Sequence, residues 1–410
     1  MRTQDRLTLR DLAERYSEVA SDPIQESRRE AWRGLNSLEE IQPLIYVRAF
    51  AWKEMPESTC ECEDPLLRSI EARLRQEIFR HTFDDDTVVE PWISVPAVHS
   101  LREKMLWGLP MEWAPGGENG GARQMRPCIL EPEDAERMAE PTHCINEEAS
   151  TRRMSLANEV LGDVLPLVLD RAPVYQIWNA DISTNLTRFR GLDQVMLDMV
   201  ERPEWLHKVL AFMRDGVLRV HKQAEEQGDW KLCDHQNQSM PYSRELDDPG
   251  PSEKPRVRND LWCFVAAQEM TLIGPAQFEE FMLRYQIPIM EPFGLTAYGC
   301  CEDLTLKIPL LRRIPNLRRI AVSPMANMAK CAEQIGPDYV LSYRPSPSDM
   351  VGYSFGEDRI RRVLTRDLEA CKANNCHIEI SLKDVETVQN DPTRIPKWVE
   401  IAREVIDAVY

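Results

Sequence analysis

Two adjacent thiols followed by a carboxylate, Cys300-Cys301-Glu302, form the densest cluster of chemistry-bearing residues in the chain. Thiolate and carboxylate are ligand types that suit zinc. Strand alternation puts Tyr298, Cys300 and Glu302 on one side and Cys301 on the other, so both sulfurs can face one partner only if the chain bends there. A zinc at this point needs further ligands from elsewhere, and Glu269, at the end of the preceding apolar run, and Asp384 or Glu386, at the last, are the candidates. The opposing reading is that Cys300 and Cys301 are two small buried residues. Lys383 is flanked by Ile378, Ile380, Leu382 and Val385. An amine desolvated there becomes a proton donor or acceptor, and pairing with Asp384 or Glu302 is the structural alternative. Glu302, Lys383 and Asp384 make up the expected catalytic set. Arg48 and Arg344 offer planar, bidentate donors for a substrate carboxylate. Trp52, Trp92 and Trp262, with Gln268 and Tyr298, fall near the ends of apolar runs and suit the wall of a ring-binding cleft. Cys60-Glu-Cys62 has no companion pair at finger-like distance, and the seven histidines form no H-x-x-x-H or H-x-C motif.

The elements that must position these groups are short apolar runs separated by amphipathic stretches. The runs are residues 43–52, 88–96, 172–183, 261–270, 293–303, 317–326, 338–347 and 377–388. The intervals read as helices, for example that holding Leu66, Leu67, Ile70, Leu74 and Ile78 at helical spacing. About eight strand-helix units are the count of a (β/α)8 TIM barrel, and a doubly wound sheet is the alternative. In such a barrel the active site collects at the C-terminal strand ends, where the residues singled out above lie. Residues 1–42 read as a helical extension, with Leu9, Leu12, Ala13 and Tyr16 on one face. The barrel then spans 43–410, with insertions near 107–122, which holds a glycine-rich tract at 114–122, and at 239–258, a proline-rich stretch read as a surface loop. Residues 231–238 read as a short strand or turn.

Composition narrows the partners. The chain has 410 residues, of which 50 are Lys or Arg and 68 Asp or Glu, for a net charge of −18. This acidic balance argues against nucleic acid. Eleven cysteines, an odd number in a long chain, fit free thiols in a reducing cytoplasm. No apolar run reaches the roughly 18 residues of a membrane span, and the N-terminus lacks the apolar core of an export signal.

From about residue 255 onward the chain resembles the uroporphyrinogen decarboxylase-type superfamily, in its branch common in anaerobic bacteria. The resemblance rests on Trp262, Ala267-Gln268-Glu269, Tyr298-Gly299-Cys300-Cys301-Glu302, Ile314-Pro315-Asn316-Leu317-Arg318, Val322-Ser323-Pro324, Arg344-Pro345-Ser346-Pro347 and Leu382-Lys383-Asp384. Residues 43–181 match more loosely. The resemblance implies a (β/α)8 barrel and one of two activities, cofactor-free decarboxylation of porphyrinogens or methyl transfer to or from cobalamin at a zinc site. The arginine-rich N-terminal motif of the decarboxylases is represented only by Arg48, which favours methyl transfer. Of the methyltransferases' His-x-Cys and later Cys, only Cys300 carries over. The implied function is therefore a methyltransferase that demethylates a small methoxylated or methylated substrate, with zinc as a possible aid and cobalamin carried by a partner corrinoid protein. The chain itself has no D-x-H-x-x-G cobalamin motif. The alternatives are a metal-free carboxy-lyase acting on a small acid, and a non-catalytic binding barrel.

Overall fold

The computed structural model describes residues 2–101, 105–114, 125–232, 237–352 and 354–410. The glycine-rich tract beyond residue 114 and residues 233–236 lie outside the described residues. Helices α1 (Thr3–Ala20) and α2 (Ile24–Asn36) come first. The parallel strands are β1 (Leu44–Val47), β2 (Ile93–Pro96), β3 (Leu167–Asp170), β4 (Trp262–Val265), β5 (Leu295–Tyr298), β6 (Leu317–Val322), β7 (Val340–Tyr343) and β8 (His377–Leu382), and a two-residue antiparallel pair joins Glu112–Trp113 to Met125–Arg126. Six of them form one sheet in the order β1-β8-β7-β6-β5-β4, every pair parallel, and β2 pairs with β3 in a separate parallel ladder. The fold is therefore mixed α/β around a parallel central sheet, as the alternation of apolar runs and amphipathic stretches requires.

One expected strand is displaced. Residues 172–182 form a loop with a short helical turn at Ile177–Asn179, Ser183 opens the helix Ser183–Arg190, and the strand lies just before them at Leu167–Asp170. The stretch around 239–258 also departs from expectation, because Ser239, Met240 and Tyr242 are buried rather than exposed. Met240 and Tyr242 pack with Leu44, Tyr46 and Val340 in one apolar cluster.

Strand alternation divides the six-stranded sheet into two chemically different faces. Ile45, Val47, Cys263, Val265, Ile320, Val322, Leu341, Ile378, Ile380 and Leu382 belong to the large apolar core that includes the surrounding helices. The opposite face carries a buried ion pair, Arg319 to Glu379 at 3.0 Å. Glu379 also accepts from Ser239 at 2.7 Å and Ser342 at 2.8 Å, while Arg319 donates to Asn237 and to Asn36 and lies 5.4 Å from the centre of the Trp262 ring. Charges taken out of water persist only when such partners satisfy them.

The N-terminal helices pack into the molecule. Leu9, Leu12, Ala13 and Tyr16 of α1 share a core with Leu67, Ile70 and Leu74 of α3 (Pro65–Arg80) and with Ala157, Val160 and Leu161 of α4 (Glu147–Leu161). Helix α3 begins where the sequence dictates: Asp64 accepts from the Leu66 and Leu67 backbone N–H groups, and Pro65 occupies the first turn. At the end of α2 the Asn36 amide donates to the carbonyls of Met240 and Tyr242, and the Trp32 indole donates to that of Asp86.

Candidate functional site

The two thiols and the lysine meet at the C-terminal ends of β5 and β8. β5 ends at Tyr298, and Gly299 then takes φ = +96°, a conformation that costs glycine little and other residues much. A Cβ there would lie 2.6 Å from Leu304 Cδ1. This turn is the bend that alternation demanded, and it leaves the Cys300 and Cys301 sulfurs 3.5 Å apart. Lys383 follows directly on β8, and its Nζ donates to Cys301 Sγ at 2.9 Å, to Cys300 Sγ at 3.3 Å and to Asp384 Oδ2 at 2.6 Å. Gly299→Ala is expected to destabilise the fold by about 1–3 kcal/mol, through backbone strain and the clash with Leu304. Comparison of denaturant midpoints, with the alkylation rate of the thiols as a local readout, checks it.

Electrostatics assign one negative charge to the sulfur pair. The Cys301 S–H lowers the Cys300 thiol to about 5, against the opposing effect of burial and with help from Arg344 and Lys383. Cys301 is pushed up, because losing its own proton would set a second charge against the first. Burial favours a neutral Lys383, but the Cys300 charge and the bonds to Asp384 and Cys301 outweigh it and hold the amine above its ordinary value. A thiol near 5 in the folded chain and about 8.5 in the unfolded one stabilises the fold fully above pH about 8.5, and that contribution disappears as pH falls through about 5. The stability gap between wild type and Cys300→Ser is therefore expected to widen with rising pH. Unfolding midpoints measured from pH 4 to 9 check this, and a gap independent of pH would contradict it.

The remaining expected site residues divide by what they touch. Arg344 donates to the Cys300 carbonyl at 3.0 Å and braces the thiol turn, so it is not a free substrate clamp. Glu302 accepts from the Cys300 N–H at 2.7 Å and the Ala267 N–H at 2.9 Å, which makes it a positioning residue beneath the turn. Burial raises its pKa against the pull of these N–H groups. Glu269 accepts from Ser183 at 2.8 Å and from Thr184 at 2.9 Å, and Gln268 lies beside it at 3.5 Å. The same Thr184 hydroxyl lies 2.8 Å from Asp181. One hydroxyl has one proton, so one of the two carboxyls must bring its own. Burial and the nearby Glu269 charge raise Asp181 well above the usual range, and Asp181 is that acid. Tyr298 points to the helix-covered face and donates to Gln286 at 2.7 Å.

These contacts correct the expected zinc set. Among the described residues no three His, Cys, Asp or Glu side chains converge as a metal ion requires. The Lys383 ammonium lies among the two sulfurs and the Asp384 carboxylate, where a cation would be held, and Glu269 is bonded to Ser183 and Thr184. Cys300, Cys301 and Glu269 therefore do not fit a resident zinc.

Beside this centre a cavity of about 550 Å³ is lined by Tyr46, Arg48, His99, Gln176, Trp178, Asn179, Asn237 and Gln238, among others. These side chains come from the C-terminal end of β1 and from the segments after β2 and β3, together with residues 237–239. The Arg48 N–H donates to the Leu382 carbonyl at 2.8 Å, so this lining residue leaves β1 alongside the end of β8, although Lys383 itself does not line the cavity. Trp178 packs 5.1 Å from Phe264, against the apolar cluster that contains Cys300. Burial and the neighbouring His143 lower His99, so it enters the cavity as a neutral ring. Of the expected substrate-binding side chains only Arg48 lines this space. Trp92 is buried at the N-terminal end of β2, and Trp262 gives its indole N–H to the Pro241 carbonyl at 2.7 Å. Trp52 packs edge-on against Phe50 and at a tilt against Phe79. The residues that sequence reasoning missed, Gln176, Trp178 and Asn179, follow β3, and placing that strand five residues too late concealed their loop.

No family model matches the chain, and no curated protein matches it in sequence. Among solved structures, a methyltransferase from Methanosarcina mazei superposes with a TM-score of 0.54 over 93% of this chain and 98% of that one, at 11% identity. The likeness is one of fold.

Proposed function

We propose that this chain is a methyltransferase that takes a methyl group from a small methoxylated or methylated compound bound in the cavity beside Arg48 and delivers it to cobalamin on a separate corrinoid protein. The observation that carries the reading is Lys383, a buried ammonium held by Asp384 and two sulfurs at the end of the strand paired with the one that leads to Arg48. The shared fold with a methyltransferase supports it. In this reading the two parallel ladders belong to one (β/α)8 barrel of the uroporphyrinogen decarboxylase-type superfamily, working in the cytoplasm. Cobalamin supplies the nucleophile for the methyl carbon. Arg48 holds an anionic substituent, Trp178 lies against an apolar body, and Lys383 donates a proton to the heteroatom the methyl group leaves. Asp384 keeps the ammonium oriented, and no step passes through zinc. The test is to mix the protein with a reduced corrinoid protein and a panel of methoxy-aromatics and methylamines. Methyl-cobalt absorbance is the expected result, and none with any substrate would end the reading.

A second reading, decarboxylation of a small acid, draws on the same Arg48. Its guanidinium forms no ion pair or side-chain hydrogen bond among the described residues and so has room for a carboxylate. Release of carbon dioxide without cobalamin is its mark.

A further inference from the structure

The sulfur pair has a property that a proton-donating role for Lys383 leaves unused. Cys301 is exposed, Cys300 lies directly behind it, and the sulfurs are 3.5 Å apart. Two thiols at this distance can close a disulfide, bind a metal ion or chelate a single thiophilic atom. A disulfide requires the sulfurs to close to about 2.05 Å with the Cα atoms roughly 4.4–6.8 Å apart, and adjacent Cα atoms are only about 3.8 Å apart, so closure here is strained. A zinc ion requires three or four protein ligands, and among the described residues no such group exists. A trivalent arsenic atom that carries one organic group requires only two sulfurs, because its own carbon fills the third position. It also bridges the sulfurs instead of pulling them into a bond.

We propose that Cys300 and Cys301 form a chelating site for monosubstituted trivalent arsenicals, R–As(OH)2, with Lys383 as the proton source. Cys301, the outer sulfur, bonds to arsenic first; one As–O bond breaks, and the departing hydroxide leaves as water with the Cys301 proton. The Cys300 thiolate then bonds to arsenic, the second As–O bond breaks, and the second hydroxide leaves as water with a proton from the Lys383 ammonium. Two As–S bonds replace two As–O bonds, two waters are released, arsenic stays trivalent and nothing is oxidised. The Lys383 amine regains its proton from solvent. The site stands apart from the methyl-transfer reading, because it is measured without turnover.

Phenylarsine oxide, which hydrates to the dihydroxy form, is the probe, and intact-protein mass spectrometry is the readout. One adduct per chain is expected to survive excess 2-mercaptoethanol and to be released by ethanedithiol, because a chelate yields to a dithiol and not to a monothiol. Cys301→Ser and Cys300→Ser are each expected to abolish the monothiol-resistant adduct. Cys62→Ser and Cys376→Ser, which alter the other closely spaced cysteines, are expected to keep it. Retention by Cys301→Ser, stripping by the monothiol, or no adduct on the wild-type chain would each overturn the proposal. Cys301 is exposed, so its variant decides the matter even where Cys300→Ser fails to fold.

Discussion

Replacing Lys383 by Met is expected to lower methyl transfer by about 10²–10⁴-fold, the range that general-acid groups contribute. The substitution keeps most of the side chain's apolar volume and removes the ammonium that faces Cys300, Cys301 and Asp384 at 2.6–3.3 Å. Two readouts separate a chemical role from a structural one. With Arg48 and the cavity intact, KM is expected to change little while kcat falls, the pattern of an interaction made mainly in the transition state. The Cys300 thiol, deprived of a cation, is expected to titrate above its wild-type value near 5, which ultraviolet thiolate absorbance records. Equal losses in kcat and folding stability with an unmoved thiol would assign Lys383 to structure alone.

The largest effect on stability is expected at Arg319. Arg319→Met strands the Glu379 carboxylate, which is 1% exposed, without its cation. Breaking a buried pair from one side costs about 3–5 kcal/mol, because the remaining charge has neither water nor partner. The hydroxyls of Ser239 and Ser342 still donate to Glu379 and offset part of that loss. Replacing both partners, as Arg319→Met with Glu379→Gln, removes the stranded charge and is expected to be less destabilising than Arg319→Met alone. Urea unfolding of the single and double variants measures the difference. A double variant weaker than the single one would mean that the pair matters for its packing and not for its charge balance.

What the sequence made legible follows from physical constraint. Strands β4 to β8 were readable because parallel strands buried on both faces appear as nearly continuous apolar runs. β3 was not, because Leu167–Asp170 abuts apolar helix-end residues on one side and an equally apolar loop on the other. The meeting of Lys383 with Cys300 was readable because both leave strands at the same edge of one sheet, and that edge is set by strand direction alone. The orientation of a carboxylate is not set that way. Glu302 and Glu269 were marked by type and position, yet each turns to nearby N–H or O–H donors. The tryptophans misled for a similar reason: Trp262 finds a carbonyl for its indole N–H inside the fold, so an aromatic near a strand end need not line a cavity.

The bond between Asn36 and Arg319 joins residues 283 positions apart. At roughly 5–20 residues per second, the ribosome needs about 15–60 s to make the second partner after the first has emerged. The Met240 and Tyr242 carbonyls, 204 and 206 positions from Asn36, are made before Arg319, so the Asn36 bond to Arg319 is the last of these contacts to become available. The contacts of α2 therefore form in order along the chain: the Trp32 bond to Asp86 first, those of Asn36 to Met240 and Tyr242 next, and the one to Arg319 last.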